Sequence, residues 1–76
     1  MHPEHRNELL LDYLDRFVIA HRRGPTLVVL SREFHVSETV IRRDLRLLRE
    51  HSCVTWLPHT PYTLRVVQKQ PETATD

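Results

Sequence analysis

Four arginines stand at positions 42, 43, 46 and 49 inside one short run, "HVSETVIRRDLRLLREH", residues 35–51. A guanidinium stays charged at any physiological pH. It presents a planar fork of donors that fits phosphate oxygens and the O6/N7 edge of guanine. The chemistry open to such a group is anion or nucleic-acid binding rather than bond making. The competing reading is the solvated side of a core helix with its charges balanced locally. Glu38 and Arg42 have the i, i+4 spacing of such a surface pair, worth only about 0.2–0.5 kcal/mol. Between the flanking Glu38 and Glu50, however, Arg42, Arg46 and Arg49 have no acid among them on their stripe. Stability alone is a poor reason for that arrangement.

The formal net charge of +1 hides an uneven distribution. Residues 1–20 are net acidic. Residues 21–51 carry arginines 22, 23, 32, 42, 43, 46 and 49 against Glu33, Glu38, Asp44 and Glu50. Lys69 is the only lysine. Seventy-six residues suffice for one small domain, near the lower limit at which an apolar core holds a fold without a covalent staple. The lone Cys53 allows no internal disulfide, and with no signal peptide it suits a reducing, cytoplasmic setting. No apolar run is longer than Leu27 to Leu30, far too short for a bilayer span, so no membrane partner is expected.

Catalysis and metal binding find little support. The histidines at 2, 5, 21, 35, 51 and 59 include no i, i+4 pair, and His51 and Cys53 lack two further obvious ligands. No nucleophile–base constellation is present, and the only glycine, Gly24, cannot build a phosphate-cradling loop. The expectation is a protein that is not an enzyme, with no catalytic residues, no metal and no cofactor.

Helices are needed to position the arginines. Leu10, Leu14, Phe17 and Val18 fall at amphipathic spacing between Glu4 and His21, with Leu11 and Ile19 widening the stripe. "RRGP" at 22–25 should end this helix near Arg23, with Gly24 as the C′ residue and Pro25 just beyond. Thr26 can cap a short second helix whose core positions are Leu27, Leu30, Ser31 and Phe34. Ser31 is small where a neighbouring helix could pass close. His35 tolerates the left-handed conformation, Val36 can pack inward, and Ser37 is a strong N-cap for a third helix over 38–50. That connection has helix-turn-helix length.

On the third helix Ile41, Leu45 and Leu48 share a buried face, which Val40, Asp44 and Leu47 extend. Glu38, Thr39, Arg42, Arg43, Arg46 and Arg49 fill the opposite arc. Asp44 lies toward the core, where a structural ion pair with a non-local arginine is expected. "CVTWL" and "YTLRVV" read as two short strands around the loop "PHTP", and Trp56 alternates with Val54 toward the core. The expected fold is α+β: three helices and a C-terminal two-stranded β-hairpin over residues 1–67. Residues 68–76 are expected to be a disordered tail, almost free of apolar side chains.

At "VSETVIRRDLRLLREHSCV" the sequence resembles the DeoR-type winged helix-turn-helix, whose recognition helix commonly reads V-S-x-x-T-I-R-R-D-L. Val36, Ser37, Ile41, Arg42, Arg43, Asp44 and Leu45 match, with Val40 where threonine is usual. Upstream, Leu30, Ser31 (for alanine) and Phe34 fit the family's second helix. The resemblance spans roughly residues 6–67. Departures are Val28 and Val29 where acids usually open helix two, Ser52 where glycine often follows helix three, and a wing loop without glycines. The family also carries a sugar-phosphate sensing domain after the winged helix. The expectation here is the DNA-binding module alone.

The resemblance implies double-stranded DNA as the partner and a transcriptional regulator, a repressor, as the function. Arg42 and Arg43 would contact bases or phosphates. Glu38 and Thr39 lie beside them at the helix N-terminus, and Arg46 and Arg49 would meet the backbone. Ser37 would cap the helix and touch phosphate. His59, Thr60 and Tyr62 would reach the DNA from the wing tip, with Arg22 and Arg23 as secondary phosphate contacts. Few contacts from so small a module make a homodimer or a partner protein necessary for specificity. The alternative is a winged helix that docks an acidic protein such as a transcription component. The near-neutral net charge, the aliphatics Val28 and Val29 beside the turn, and the missing wing glycines motivate it.

Overall fold

The structure, a computed structural model, describes residues 3–69. Its order is α1 (Pro3–His21), α2 (Leu27–Phe34), α3 (Glu38–Glu50), β1 (Val54–Thr55) and β2 (Arg65–Val66). The two strands pair antiparallel with Val54 opposite Val66 and Thr55 opposite Arg65. Three helices and a two-stranded hairpin make an α+β fold. None of the described helices is long and apolar enough to cross a membrane.

The turns are built by capping chemistry. Thr26 Oγ1 accepts from the Val29 amide at 3.3 Å, and Ser37 Oγ accepts from the Val40 amide at 3.2 Å, each satisfying an orphan donor at a helix start. Between α2 and α3, His35 is left-handed (φ 55°). The amides of His35 and Val36 both donate to the Ser31 carbonyl. Ser31 Oγ donates to the Val36 carbonyl at 2.6 Å. Ser31 therefore closes the turn from both ends, beyond the packing role that its size suggests. After α3, Ser52 is left-handed (φ 63°). Its amide donates to the Arg49 carbonyl at 3.0 Å and that of Cys53 to the Leu48 carbonyl at 2.8 Å. These are the two bonds of a Schellman ending, without the usual glycine.

The end of α1 departs from expectation. The helix stops at His21, and Arg22 rather than Gly24 takes the left-handed C′ position (φ 62°), its amide donating to the Val18 carbonyl at 2.8 Å. Gly24 has no positive φ. Its role is steric: a Cβ there would lie 2.2 Å from the Leu64 carbonyl oxygen. The Gly24 amide also donates to the Tyr62 carbonyl at 3.0 Å. This glycine lets the hairpin lie against the exit of α1.

The core is Leu10, Leu11 and Leu14 of α1, Leu30 of α2, Ile41, Leu45 and Leu48 of α3, then Cys53, Val54 and Leu64. Two residues expected to widen it do not: Ile19 is 68% and Leu47 45% exposed. Both sit on the flank of an apolar stripe, and periodicity does not say how far round a helix its neighbours reach. Inside the core, Arg6 donates from Nε to Asp44 Oδ2 at 2.7 Å and from Nη2 to Oδ1 at 3.2 Å. This is the non-local pair expected of Asp44. The carboxylate raises the guanidinium's pKa, chiefly through the hydrogen bonds, against desolvation that lowers it. Burial pushes the Cys53 thiol pKa up, as suits an inert core cysteine.

The strands are far shorter than residues 53–57 and 62–67. Thr63 explains this. Its hydroxyl accepts from the Leu57 amide at 2.9 Å, taking a donor that a longer ladder would have used. The same hydroxyl donates to the Thr60 carbonyl at 3.0 Å. Pro58 and Pro61 contribute no amide protons, and His59 and Tyr62 are left-handed (φ 57° and 65°). Past the hairpin, Gln68 Nε2 donates to the His51 carbonyl at 3.4 Å, and Lys69 pairs with Asp15 at 3.4 Å and Asp12 at 3.8 Å. The first two residues of the expected tail are thus held against the fold. Residues 70–76 lie outside the described residues.

Candidate functional site

Helix α3 has two faces because its sequence has two. Ile41, Asp44, Leu45 and Leu48 are buried, and Glu38, Thr39, Arg42, Arg43, Arg46 and Arg49 are exposed. At about 100° per residue the four arginines fan over about 120° of the surface, from Arg49 through Arg42 and Arg46 to Arg43. Among the described residues, Arg42, Arg43 and Arg46 make no ion pair, and the spacing-permitted pair Glu38–Arg42 is not formed. Two acids of α1 are engaged elsewhere: Asp12 pairs with Arg16 on its own helix and, with Asp15, receives Lys69.

The hairpin stands beside this face. A groove of about 450 Å³ runs between them, with Arg42 and Arg46 on the helix side, Thr60 and Tyr62 on the loop side, and Leu45 and Trp56 among its floor residues. Trp56 is half-buried against the core, as its alternation with Val54 implied. Its ring also carries the Arg49 guanidinium 4.4 Å from the centroid. That cation–π contact fixes the side chain expected to reach the DNA backbone.

Of the expected site residues, Arg42, Arg46, Thr60 and Tyr62 meet at this groove. Ser37 at the N-cap and Glu38, Thr39 and the arginines of α3 are exposed, as are His59, Thr60 and Tyr62 on the loop, with His59 outside the groove lining. Arg65 joins Arg22 and Arg23, the secondary phosphate contacts of the sequence, in a second cluster. Arg22, Arg23 and Arg65 border a hollow of about 400 Å³ on the side of the hairpin toward the end of α1. Arg23 lies over the Tyr62 ring at 4.9 Å. Sequence spacing marked Arg22 and Arg23 mainly as a helix end and Arg65 as a strand residue. Nothing local links positions so far apart; the Gly24–Leu64 contact does.

Arrayed guanidiniums with hydroxyls between them can bind anions and planar polar edges. Among the described residues no group of three or more His, Cys, Asp or Glu is gathered that could hold a metal ion. No family model, curated protein or solved structure matches the chain.

Proposed function

We propose that the chain is a winged helix-turn-helix DNA-binding protein that regulates transcription, with α3 as the recognition helix and the hairpin as the wing. The observation that carries the proposal is the set of exposed arginines on α3 that have no carboxylate partner among the described residues, beside a loop that adds Thr60 and Tyr62. Arg42 and Arg43, nearest the helix N-terminus, contact bases or phosphates in the major groove, and Arg46 meets the backbone. Arg23 and Arg65 extend the phosphate contacts past the wing. The protein acts as a dimer or with a partner protein and represses by occupying its site.

The test is fluorescence anisotropy on random and native upstream duplexes across a salt series. Binding should fall steeply with salt, because each neutralised phosphate releases counterions. Absence of duplex binding at low salt defeats the reading. It would favour the protein-docking alternative, which Val28, 42% exposed at the start of α2, supports.

A further inference from the structure

We propose that the groove between α3 and the hairpin is a binding site for a small amphipathic organic carboxylate, and that its occupant displaces DNA. The regulatory half of this proposal rests on the DNA-binding reading above; the binding half does not.

The argument is one of shape and charge together. The groove's volume, about 450 Å³, falls in the range of pockets that take small organic ligands. Its wall includes Leu27, Leu45, Trp56 and Leu64, drawn from α2, α3 and both arms of the hairpin. Such a wall favours an aryl or alkyl body. Arg42 and Arg46, one helical turn apart on the same side, also line it, and neither has an anionic partner among the described residues. A guanidinium fork binds a carboxylate bidentately. Of the threonines that also line it, Thr60 and Thr63 already donate their hydroxyl protons to the Pro58 and Thr60 carbonyls, so the two guanidiniums are the principal donors left for an anion. That set of partners suits one singly charged head group. A carboxylate seated there occupies the two guanidiniums that the proposed DNA interface needs.

Trp56 is the only tryptophan in the chain and lines the groove, so its fluorescence reports occupancy without DNA. The probe is phenylbutyrate, with its uncharged amide as control. Saturable change with the acid, at least tenfold weaker with the amide and in Arg42→Ala or Arg46→Ala, is expected. Arg43→Ala, which lies off the groove, should leave binding unchanged. No saturable response to the acid, or equal response to acid and amide, overturns the site. Equal losses in all three variants also overturn it, since only a general positive field would then be at work. Where DNA binds, phenylbutyrate at ten times its dissociation constant should weaken that binding about tenfold by competition. Site binding that leaves a measured DNA affinity unchanged overturns displacement alone. Failure of DNA binding by itself leaves the fluorescence result standing.

Discussion

Helix α3 meets arginine in two ways, and the contrast separates architecture from availability. On its inner face Asp44 holds Arg6 by two hydrogen bonds, and both residues are buried. On its outer face Arg42, Arg43 and Arg46 are exposed with no carboxylate within ion-pair distance among the described residues. The side-chain type is the same; the partner decides its role. A buried guanidinium without a carboxylate would carry a desolvation penalty of several kcal/mol, roughly, so Arg6 and Asp44 require each other. An exposed guanidinium keeps its water and can exchange it for phosphate or carboxylate with little penalty.

The largest expected effect breaks the inner pair. Asp44→Ala leaves Arg6 charged and uncompensated, and should destabilise the fold by about 3 kcal/mol or more in urea unfolding. A loss under about 1 kcal/mol would mean that Arg6 reaches water easily and that the two faces differ less than their burial implies.

Gly24→Ala comes next, and touches no arginine. The new Cβ meets the Leu64 backbone, so the hairpin must move, at about 2 kcal/mol. Near-UV circular dichroism of Trp56 should change with it. An unchanged spectrum and midpoint would show that the hairpin is not held against α1.

Arg42→Ala and Arg46→Ala act on the outer face. Each should weaken duplex binding by about 1–3 kcal/mol if it contacts a base, or lower the salt slope by about 1 if it contacts phosphate. Thermal midpoints should stay near wild type, since exposed side chains away from special features move stability by about 0.5 kcal/mol or less. Large midpoint shifts would place these arginines with Arg6, as parts of the architecture.

The smallest effect concerns an arginine at a helix end. Arg22 sits in the left-handed region where glycine is at ease. Arg22→Gly should raise stability by about 0.5 kcal/mol, the strain relief being partly offset by a floppier unfolded chain. A simultaneous fall in duplex affinity would show that the guanidinium is kept for binding despite the strain.

Much of this was legible in the residues. Thr26 and Ser37 announce the starts of α2 and α3, because a hydroxyl just before an apolar run has a donor to satisfy. The two faces of α3 followed from periodicity, and so did the inward direction of Asp44. The strand lengths did not. β-propensity in "CVTWL" and "YTLRVV" could not foresee that the Thr63 hydroxyl would take the Leu57 amide. Nor could spacing show that the loop would bring Tyr62 beneath Arg23.

The sequence by itself determined where α2 and α3 begin and the centre of each helix's apolar face, because capping and 3.6-residue periodicity act within a few residues of one another. Tertiary structure decided the rest. It chose Arg6 as the partner of Asp44, made Gly24 a point of contact instead of a helix cap, and set two arginines beside an apolar groove. Each outcome depends on which surfaces meet: α1 with α3 for the ion pair, and the hairpin with the exit of α1 and with α3 for the other two. Contacts between segments far apart in the chain leave no periodic mark on either one.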